Sequence, residues 1–466
     1  MSLRPRAKLL PLPLVSILTV VPAAYAETLS YGIDAGIGES DNVTLVSTDK
    51  ISETIAISDV DFALQQQSRL LDADLKGDFT YFDYLENAYG SQLIGRFDGL
   101  GKLALIPERL TWVLQDDFGQ AQLDPYTPVT PNNLENINYV STGPDLSLRM
   151  GGTGFVNASA RYAQADYETS PFNSNRLLGS LAGGLQLSAN SSLSLNGDSE
   201  RVLFENTVIN TNFDRSSAYV HYEAHGARTD LAASLGATEV RQGDSTTTGP
   251  LATVRLVRTL SPSAKLTVSA GRELTDPATS FSTIQNGVIS ALTTAVPVLT
   301  TASYTSTSAS AGWNYERNRT KVNLAVSWEK DRYVSQPQFD STRALAQLSI
   351  ERQLTHDFSV ELLGHLFKTD YPHGIVTELN GVITGFNSAA PTGISVGTTQ
   401  IVSSDQDSGQ IGAALTWRHG RWLEIRLRVD HNSQTVTGFG FGYVENQVFV
   451  TVGYRPRPST DALAPN

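Results

Sequence analysis

The 466-residue sequence contains no cysteine, which excludes a disulfide framework and a lipoprotein-type lipid attachment site. After residue 26 it also lacks any run of the roughly 18–20 apolar residues that a membrane-spanning helix needs. Basic residues are few, and the formal net charge of −13 at pH 7 argues against nucleic-acid binding. Two classes remain: a large secreted β protein, or a protein that crosses a membrane with strands.

Residues 1–26 have the pattern of a secretory signal peptide. Basic residues precede an apolar stretch at 9–21, and Ala24-Tyr25-Ala26 supplies the small residues that a signal peptidase requires. Prolines interrupt the apolar stretch, which is too short for a membrane anchor. We therefore expect residues 1–26 to be removed during export.

Apolar residues occupy every second position in many later segments, among them 71–81, 321–331 and 422–430. In the last of these, Leu423, Ile425, Leu427 and Val429 alternate with Glu424, Arg426, Arg428 and Asp430. This period predicts strands with one apolar and one polar face.

Short polar links alternate with longer polar segments along the chain. The short links lie at 107–109, 151–153, 189–191, 225–227, 261–263, 318–320, 355–357 and 418–420, and the longer segments include 123–133, 276–298 and 371–404. The repeat of about 40 residues predicts an all-β, antiparallel, up-and-down transmembrane β-barrel of about 20 strands (range about 18–22) over residues 27–455. A β-sandwich would not keep its long loops at one end, and a β-helix would lack this alternation.

The strand at 447–454 lies almost at the end of the chain. A lipid-spanning barrel must pair every backbone polar group, so we expect this strand to close against the first one. The remaining residues, 456–466, are predicted to form a periplasmic tail. Aromatic residues near strand ends, such as Trp417, Trp422 and Tyr454, are typical of the girdles at membrane interfaces.

Charged side chains on the polar faces are predicted to line the lumen, because a charge on the lipid face costs about 2–4 kcal/mol near the midplane. An alternative is that these charges pair with neighbouring strands and make the wall rigid. The predicted lumen-facing residues are Asp72, Asp74, Lys76, Asp78, Glu424, Arg426, Arg428 and Asp430. Loops 276–298 and 371–404 are candidates for narrowing the mouth, and 282–295 is predicted to include a short helix.

The sequence predicts neither an enzyme nor a cofactor or metal site. His221 and His225 are four residues apart, a spacing of about 13 Å on a strand, which one metal ion cannot bridge. The G-x-S-x-G pattern at 393–397 lacks the strand and helix that a nucleophile elbow needs.

Two segments carry a family resemblance. ESDNVTL at 39–45, followed by TIAISDVDFALQQQSRLLDADLKGDFTYFDYLEN at 54–87, resembles the opening of outer-membrane barrels associated with exopolysaccharide gene clusters and the PEP-CTERM/exosortase system. FGYVENQVFVTVGYRP at 441–456 resembles the closing strand of that family. The resemblance implies a role in exopolysaccharide export and brings no catalytic residues.

Three functions therefore stay open. The first is a conduit or accessory component for exopolysaccharide secretion across the cell outer membrane. The second is a general or solute-selective porin for small hydrophilic molecules, and the third is a structural or adhesive barrel. The expected partners are outer-membrane lipid, the barrel assembly machinery, and polysaccharide with periplasmic export components. A folded-in loop would favour the porin, whereas aromatic platforms and open polar walls would favour the conduit.

Overall fold

The strands of this chain form one closed antiparallel ring. The computed structural model describes residues 27–285, 300–379, 382–383, 397–420, 422–438 and 441–456. The predicted signal peptide and residues 457–466 of the predicted tail lie outside them. Each strand pairs with its neighbour in the chain, and β1 pairs with β21 to close the ring.

The ring contains twenty strands, because the two-residue strand β18 pairs beyond the barrel with the end of β17. The described residues also include helix α1 (Pro277–Gln285) and two 3-10 turns, Pro131–Asn133 and Pro337–Phe339. The strands are β1 Glu27–Ser40, β2 Glu53–Gln67, β3 Leu71–Tyr84, β4 Gln92–Ile106, β5 Leu110–Gln122, β6 Leu134–Met150, β7 Gly154–Tyr167, β8 Ser174–Ser188, β9 Ser191–Phe204, β10 Phe213–His225, β11 Thr229–Gln242, β12 Ser245–Ser261, β13 Ala264–Thr275, β14 Tyr304–Arg317, β15 Thr320–Tyr333, β16 Ser341–Gln353, β17 Phe358–Leu379, β18 Val382–Ile383, β19 Gly397–His419, β20 Leu423–Thr437 and β21 Tyr443–Tyr454.

The two faces of the wall differ in the way that the alternating sequence predicts. On β20, Leu427 and Val429 are exposed on the outside, whereas Glu424 and Asp430 are buried on the inside. Exposed leucine, isoleucine and valine side chains continue round the outer surface of the neighbouring strands, as at Ile33 and Val450. An apolar outside and a polar inside suit a barrel whose wall contacts lipid.

The two ends of the barrel also differ. All eight predicted short links lie at one end and are confirmed as connections of two to four residues. Residues with positive φ, such as Asn318 and Gly420, allow the chain to reverse there. The other end carries the long connections, except that β11 and β12 are joined by only two residues, 243–244. The sequence pattern did not predict this turn, which the positive φ of Gly243 makes possible.

The predicted seam is confirmed. Strand β21 pairs with β1 from Gln447 opposite Ser40 to Tyr454 opposite Ile33. Arg455 follows directly and donates hydrogen bonds to the carboxylates of Asp34 and Asp61 at 3.1 and 2.8 Å. The ion pairs therefore hold the chain end against the first two strands.

Aromatic side chains gather on the outside near the short-turn end. The ring centroids of Trp422 and Tyr454 are 5.5 Å apart, and Tyr31 lies 6.2 Å from Tyr454 across the seam. Trp417 stacks on Phe358 in the same region. Rings of this kind suit the boundary between lipid and water. In the described part of the chain, no helix has the length and apolar character needed to cross a membrane.

Two predicted loop features are wrong in their extent. The segment 371–404 is mostly strand, because β17 runs to Leu379 and β19 starts at Gly397, with the ladder continuing past a bulge after Tyr371. The β-branched residues of both arms favour this extension. The helix predicted at 282–295 begins earlier, since Pro277 fits the first helical turn and Asp276 caps it. Residues 286–295 lie outside the described residues.

Candidate functional site

The connection between β5 and β6, residues 123–133, folds into a compact loop, which we call the inward loop. Its organiser is Asn133, which is 7% exposed. The Asn133 amide donates to the carbonyl oxygens of Asp124, Thr127 and Pro128, and its side-chain oxygen accepts from the Asp124 backbone N–H at 2.8 Å. Prolines at 125, 128 and 131 restrict the backbone further. The conformation of the loop is therefore fixed by contacts within the loop itself.

The tip of the inward loop docks on the far wall of the barrel. Tyr126 is 4% exposed, its ring centroid lies 4.8 Å from that of Tyr371 on β17, and its hydroxyl donates to the carbonyl of Gln338. Tyr371 donates to the Pro125 carbonyl at 3.2 Å, and Gln406 on β19 donates to the Tyr126 carbonyl at 3.2 Å. On the shorter way round the ring, β4, β3, β2, β1, β21, β20 and β19 separate β5 from β17. The loop therefore spans the interior.

Helix α1 is the second segment inside the barrel. Ala278 and Phe281 pack against inward-facing residues of β5, β6 and β7, including Ile137 and Ala163. The helix thus contacts the inner wall well away from its own strands, β13 and β14. The start of the 276–298 segment, one of the two predicted candidates for narrowing the mouth, therefore lies inside the barrel.

A buried ion network fixes the start of α1. Arg176 on β8 donates to Asp276 at 2.7 Å and to Glu200 at 3.0 Å, and all three side chains are at most 5% exposed. Arg215 on β10 pairs with the same two carboxylates. Burial alone would raise the pKa of Asp276, but the two guanidinium groups hold it well below its ordinary value. The network therefore keeps its charges and ties α1 to the wall.

Beside the inward loop lies a cavity of about 650 Å³, which we call the acidic cavity. Four aspartates from β1, β2 and β3 lie on one side of it with Arg455, and apolar residues of the strands and of two long connections complete its lining. Its lining includes Asp34, Asp59, Asp61, Asp78, Glu424, Arg426, Arg428, Asp430, Arg455, Val43, Leu45, Ile55, Phe82, Val129 and Phe449. Five of the eight residues predicted to face the lumen are thus brought together here: Asp78, Glu424, Arg426, Arg428 and Asp430.

The other three predicted residues, Asp72, Asp74 and Lys76, share the inward face of β3 with Asp78 but lie outside this cavity. Many of the charges are paired with neighbours, as the alternative interpretation of the sequence expects. Lys76 contacts Asp74 at 3.1 Å. Pairing and exposure to the interior therefore coexist on these strands.

On the β20 wall, Arg426 contacts Glu361 on β17 at 2.6 Å, and Arg428 contacts Asp430 on its own strand at 2.6 Å. These pairs balance the charge of β20. On the opposite side of the acidic cavity the charges are less balanced, because four aspartates lie there with one cation, Arg455. Arg455 contacts Asp34 and Asp61.

The carboxylates of Asp34, Asp59 and Asp61 have oxygen atoms within 4.8 Å of one another, a spacing that a metal ion could bridge. Two of the three accept hydrogen bonds from Arg455, so the guanidinium already supplies the positive charge at this cluster. His221 and His225 do not converge on a common site: His221 contacts Ser234, and His225 contacts Asp230 and Glu223.

A second cavity, of about 220 Å³, lies under the inward loop, and we call it the roofed cavity. Pro125, Thr127, Pro128 and Val129 form its roof. Its wall comes from β16, β17, β19, β20 and β21 and is rich in amides and aromatic rings: Arg343, His365, Phe367, Thr369, Tyr371, Gln406, Ser408, Gln410, Asn432, Gln434 and Tyr443.

Sequence reasoning missed the inward loop as a part of the interior, although it identified 123–133 as a long polar segment. The available signal was local: three prolines and a tyrosine within a short polar stretch. Where such a loop docks depends on Tyr371 and Gln406, which are more than 240 residues away in the sequence.

No protein-family model and no curated protein matches this sequence. Solved structures with a similar barrel include the copper transporter OprC, at 12% identity and a TM-score of 0.42, covering 93% of this chain and 81% of that chain. The FrpB iron transporter from Neisseria meningitidis matches at 8% identity and a TM-score of 0.43, covering 91% and 81%. OpdQ from Pseudomonas aeruginosa matches at 8% identity and a TM-score of 0.36, covering 92% of this chain and 98% of that chain. These barrels are distant, so the fold assignment rests on the strand ladder.

Proposed function

We propose that this chain is a diffusion channel of the cell outer membrane that passes small hydrophilic solutes. The apolar outer face and the aromatic groups near the short-turn end support a position in a lipid bilayer. The polar inner face supports an aqueous path. The single observation that carries the proposal is the inward loop, which crosses the interior and docks on β17 and β19.

The inward loop favours small solutes over polymers. A conduit for exopolysaccharide, the function expected from the family resemblance, needs an uninterrupted bore with accessible aromatic platforms. Here the aromatic residues beneath the rim are buried in contacts with one another, as are Tyr126 and Tyr371. The loop and α1 together narrow the interior. We therefore favour the porin interpretation, and the conduit remains the second prediction.

The test is to release the inward loop and measure conductance. Asn133→Ala removes the amide that donates to three carbonyls of the loop, so the loop should leave its docked position more often. In planar bilayers we expect the purified variant to show a higher mean single-channel conductance than the wild type. Entry of solutes of graded size into proteoliposomes should extend to larger solutes.

The matched control is Asn206→Ala, in the β9–β10 connection, where the side chain accepts a hydrogen bond from Val208 near an exposed loop tip. It should leave conductance unchanged. A wild-type barrel that conducts no ions would contradict the channel. A barrel whose current is blocked by long polysaccharide from the periplasmic side, and whose loop variants do not alter solute size selection, would favour the conduit.

A further inference from the structure

Side chains in or directly behind the lining of the roofed cavity carry polar atoms that have no hydrogen-bond partner. Among the described residues, the Arg343 Nε, the His365 Nε2 and the Gln347 Oε1 are buried without a hydrogen bond. Arg343 and His365 line the cavity, and Gln347 lies directly opposite His365 in the β16–β17 register. Buried polar groups normally find a partner, because leaving one unpaired is costly. The side chains that carry these atoms therefore have unused hydrogen-bonding capacity, which a rotation toward the cavity would offer to a polar molecule.

The charges around the roofed cavity are balanced. Arg343 contacts Glu329 at 3.2 Å and also pairs with Asp331, and Arg428 pairs with Asp430 nearby. A carboxylate entering here would meet a guanidinium group whose charge Glu329 and Asp331 already balance, and an ammonium group would approach Arg343. Neither sign of charge is favoured, so the cavity suits a neutral solute.

The free atoms include both donors and acceptors. Arg343 offers an N–H, Gln347 offers an oxygen, and the imidazole of His365 can serve in either role. A hydroxyl group both donates and accepts, so it matches such a mixed set better than a carbonyl or an amine does. The amides of Gln410 and Asn432 and the ring of Phe367 line the same space. Side chains of these types complement the polar edge and the apolar face of a sugar ring.

The volume sets the size of the solute. At about 30 Å³ for each water, 220 Å³ holds about seven water molecules, which is also the scale of one small ring compound. We propose that the roofed cavity is a binding site for one neutral, hydroxyl-rich ring of monosaccharide size. The inference rests on the proposed function, because the solute reaches the cavity through the lumen that the inward loop narrows.

The experiment measures binding of D-glucose to the full-length mature barrel in detergent micelles by ligand-observed NMR, which does not require ion conduction. We expect saturable binding in the millimolar range, and weaker binding of the charged ring analogues glucuronate and glucosamine. His365→Ala should weaken glucose binding by about two- to tenfold, the effect of losing one hydrogen bond. His221→Ala is the matched control, since this histidine also faces the interior but lies on β10 and contacts Ser234.

A second variant, Ser408→Tyr, fills the roofed cavity and should abolish binding, while a heat-dependent shift in gel mobility verifies that the barrel has folded. The proposal is overturned if glucose does not bind, if His365→Ala and His221→Ala weaken binding equally, or if Ser408→Tyr binds like the wild type. Stronger binding of either charged analogue would also overturn it. A barrel that binds glucose but conducts no ions would contradict the proposed channel and leave the binding site standing.

Discussion

At the scale of single residues, the inward loop depends on a few buried polar groups. Asn133 holds the loop together, and Tyr126 attaches its tip to the far wall. Asp124 lies between them and accepts a hydrogen bond from the backbone N–H of Tyr126 at 3.0 Å. Burial raises the pKa of Asp124 to about 6, although that hydrogen bond acts in the opposite direction. The docked loop therefore favours the protonated form of this carboxyl group.

This residue predicts a pH dependence of the channel. Because burial in the docked loop raises the pKa of Asp124, its protonated carboxyl group stabilises docking. This stabilisation is complete when the pH is below the ordinary pKa of an aspartate, and it is lost as the pH rises through about 6. We expect the wild type to show fewer loop-opening events at pH 5 than at pH 7.5 in single-channel recordings. Asp124→Asn should show few events at both values. Asp49→Asn, in the β1–β2 connection, should keep the wild-type dependence. If Asp124→Asn keeps the wild-type pH dependence of loop opening, Asp124 is not the group that controls docking.

At the scale of elements, α1 shows how the wall and the interior are joined. The helix brings no charged side chain of its own, and the charge that holds it belongs to Asp276, directly before it. The two arginines come from β8 and β10 and Glu200 comes from β9, so one network joins the start of α1 to three distant strands. A buried network of this kind is costly to break by removal of one member, because it leaves an uncompensated charge.

Arg176→Gln should therefore destabilise the barrel by about 3–5 kcal/mol, since Glu200 and Asp276 would lose a buried partner. The measurement is the urea dependence of the folded fraction, read from the heat-dependent shift in gel mobility. Arg201→Gln is the matched control on β9, because Arg201 and Asp214 form an exposed pair on the outer face. It should change the midpoint little. Equal midpoints for the two variants would show that the network does not hold α1.

At the scale of the whole molecule, the sequence predicted what depends on local alternation. The period of two identified strands such as 71–81, and the closing strand at 447–454 was assigned correctly to the seam. The long arms of β17 and β19 were missed because they lack the strict alternation of apolar and polar residues by which the other strands were recognised. The docking of Tyr126 was missed because it depends on contacts with Tyr371 across the ring, which no local pattern contains.

The alternation also predicts which side chains of a strand face the interior and which face lipid. On β20 this prediction can be tested with variants of nearby residues. Arg426→Glu with Arg428→Glu leaves Glu361 and Asp430 without their cations on the inner face. We expect the reversal potential under a salt gradient to shift toward cation preference, with the barrel still folded. Leu427→Arg places a charge among the outward apolar residues, further from the short-turn end, where it costs about 2–4 kcal/mol near the midplane, and should reduce insertion. If Leu427→Arg inserts normally while the double variant fails to insert, the faces of β20 are exchanged and the proposed aqueous interior is wrong.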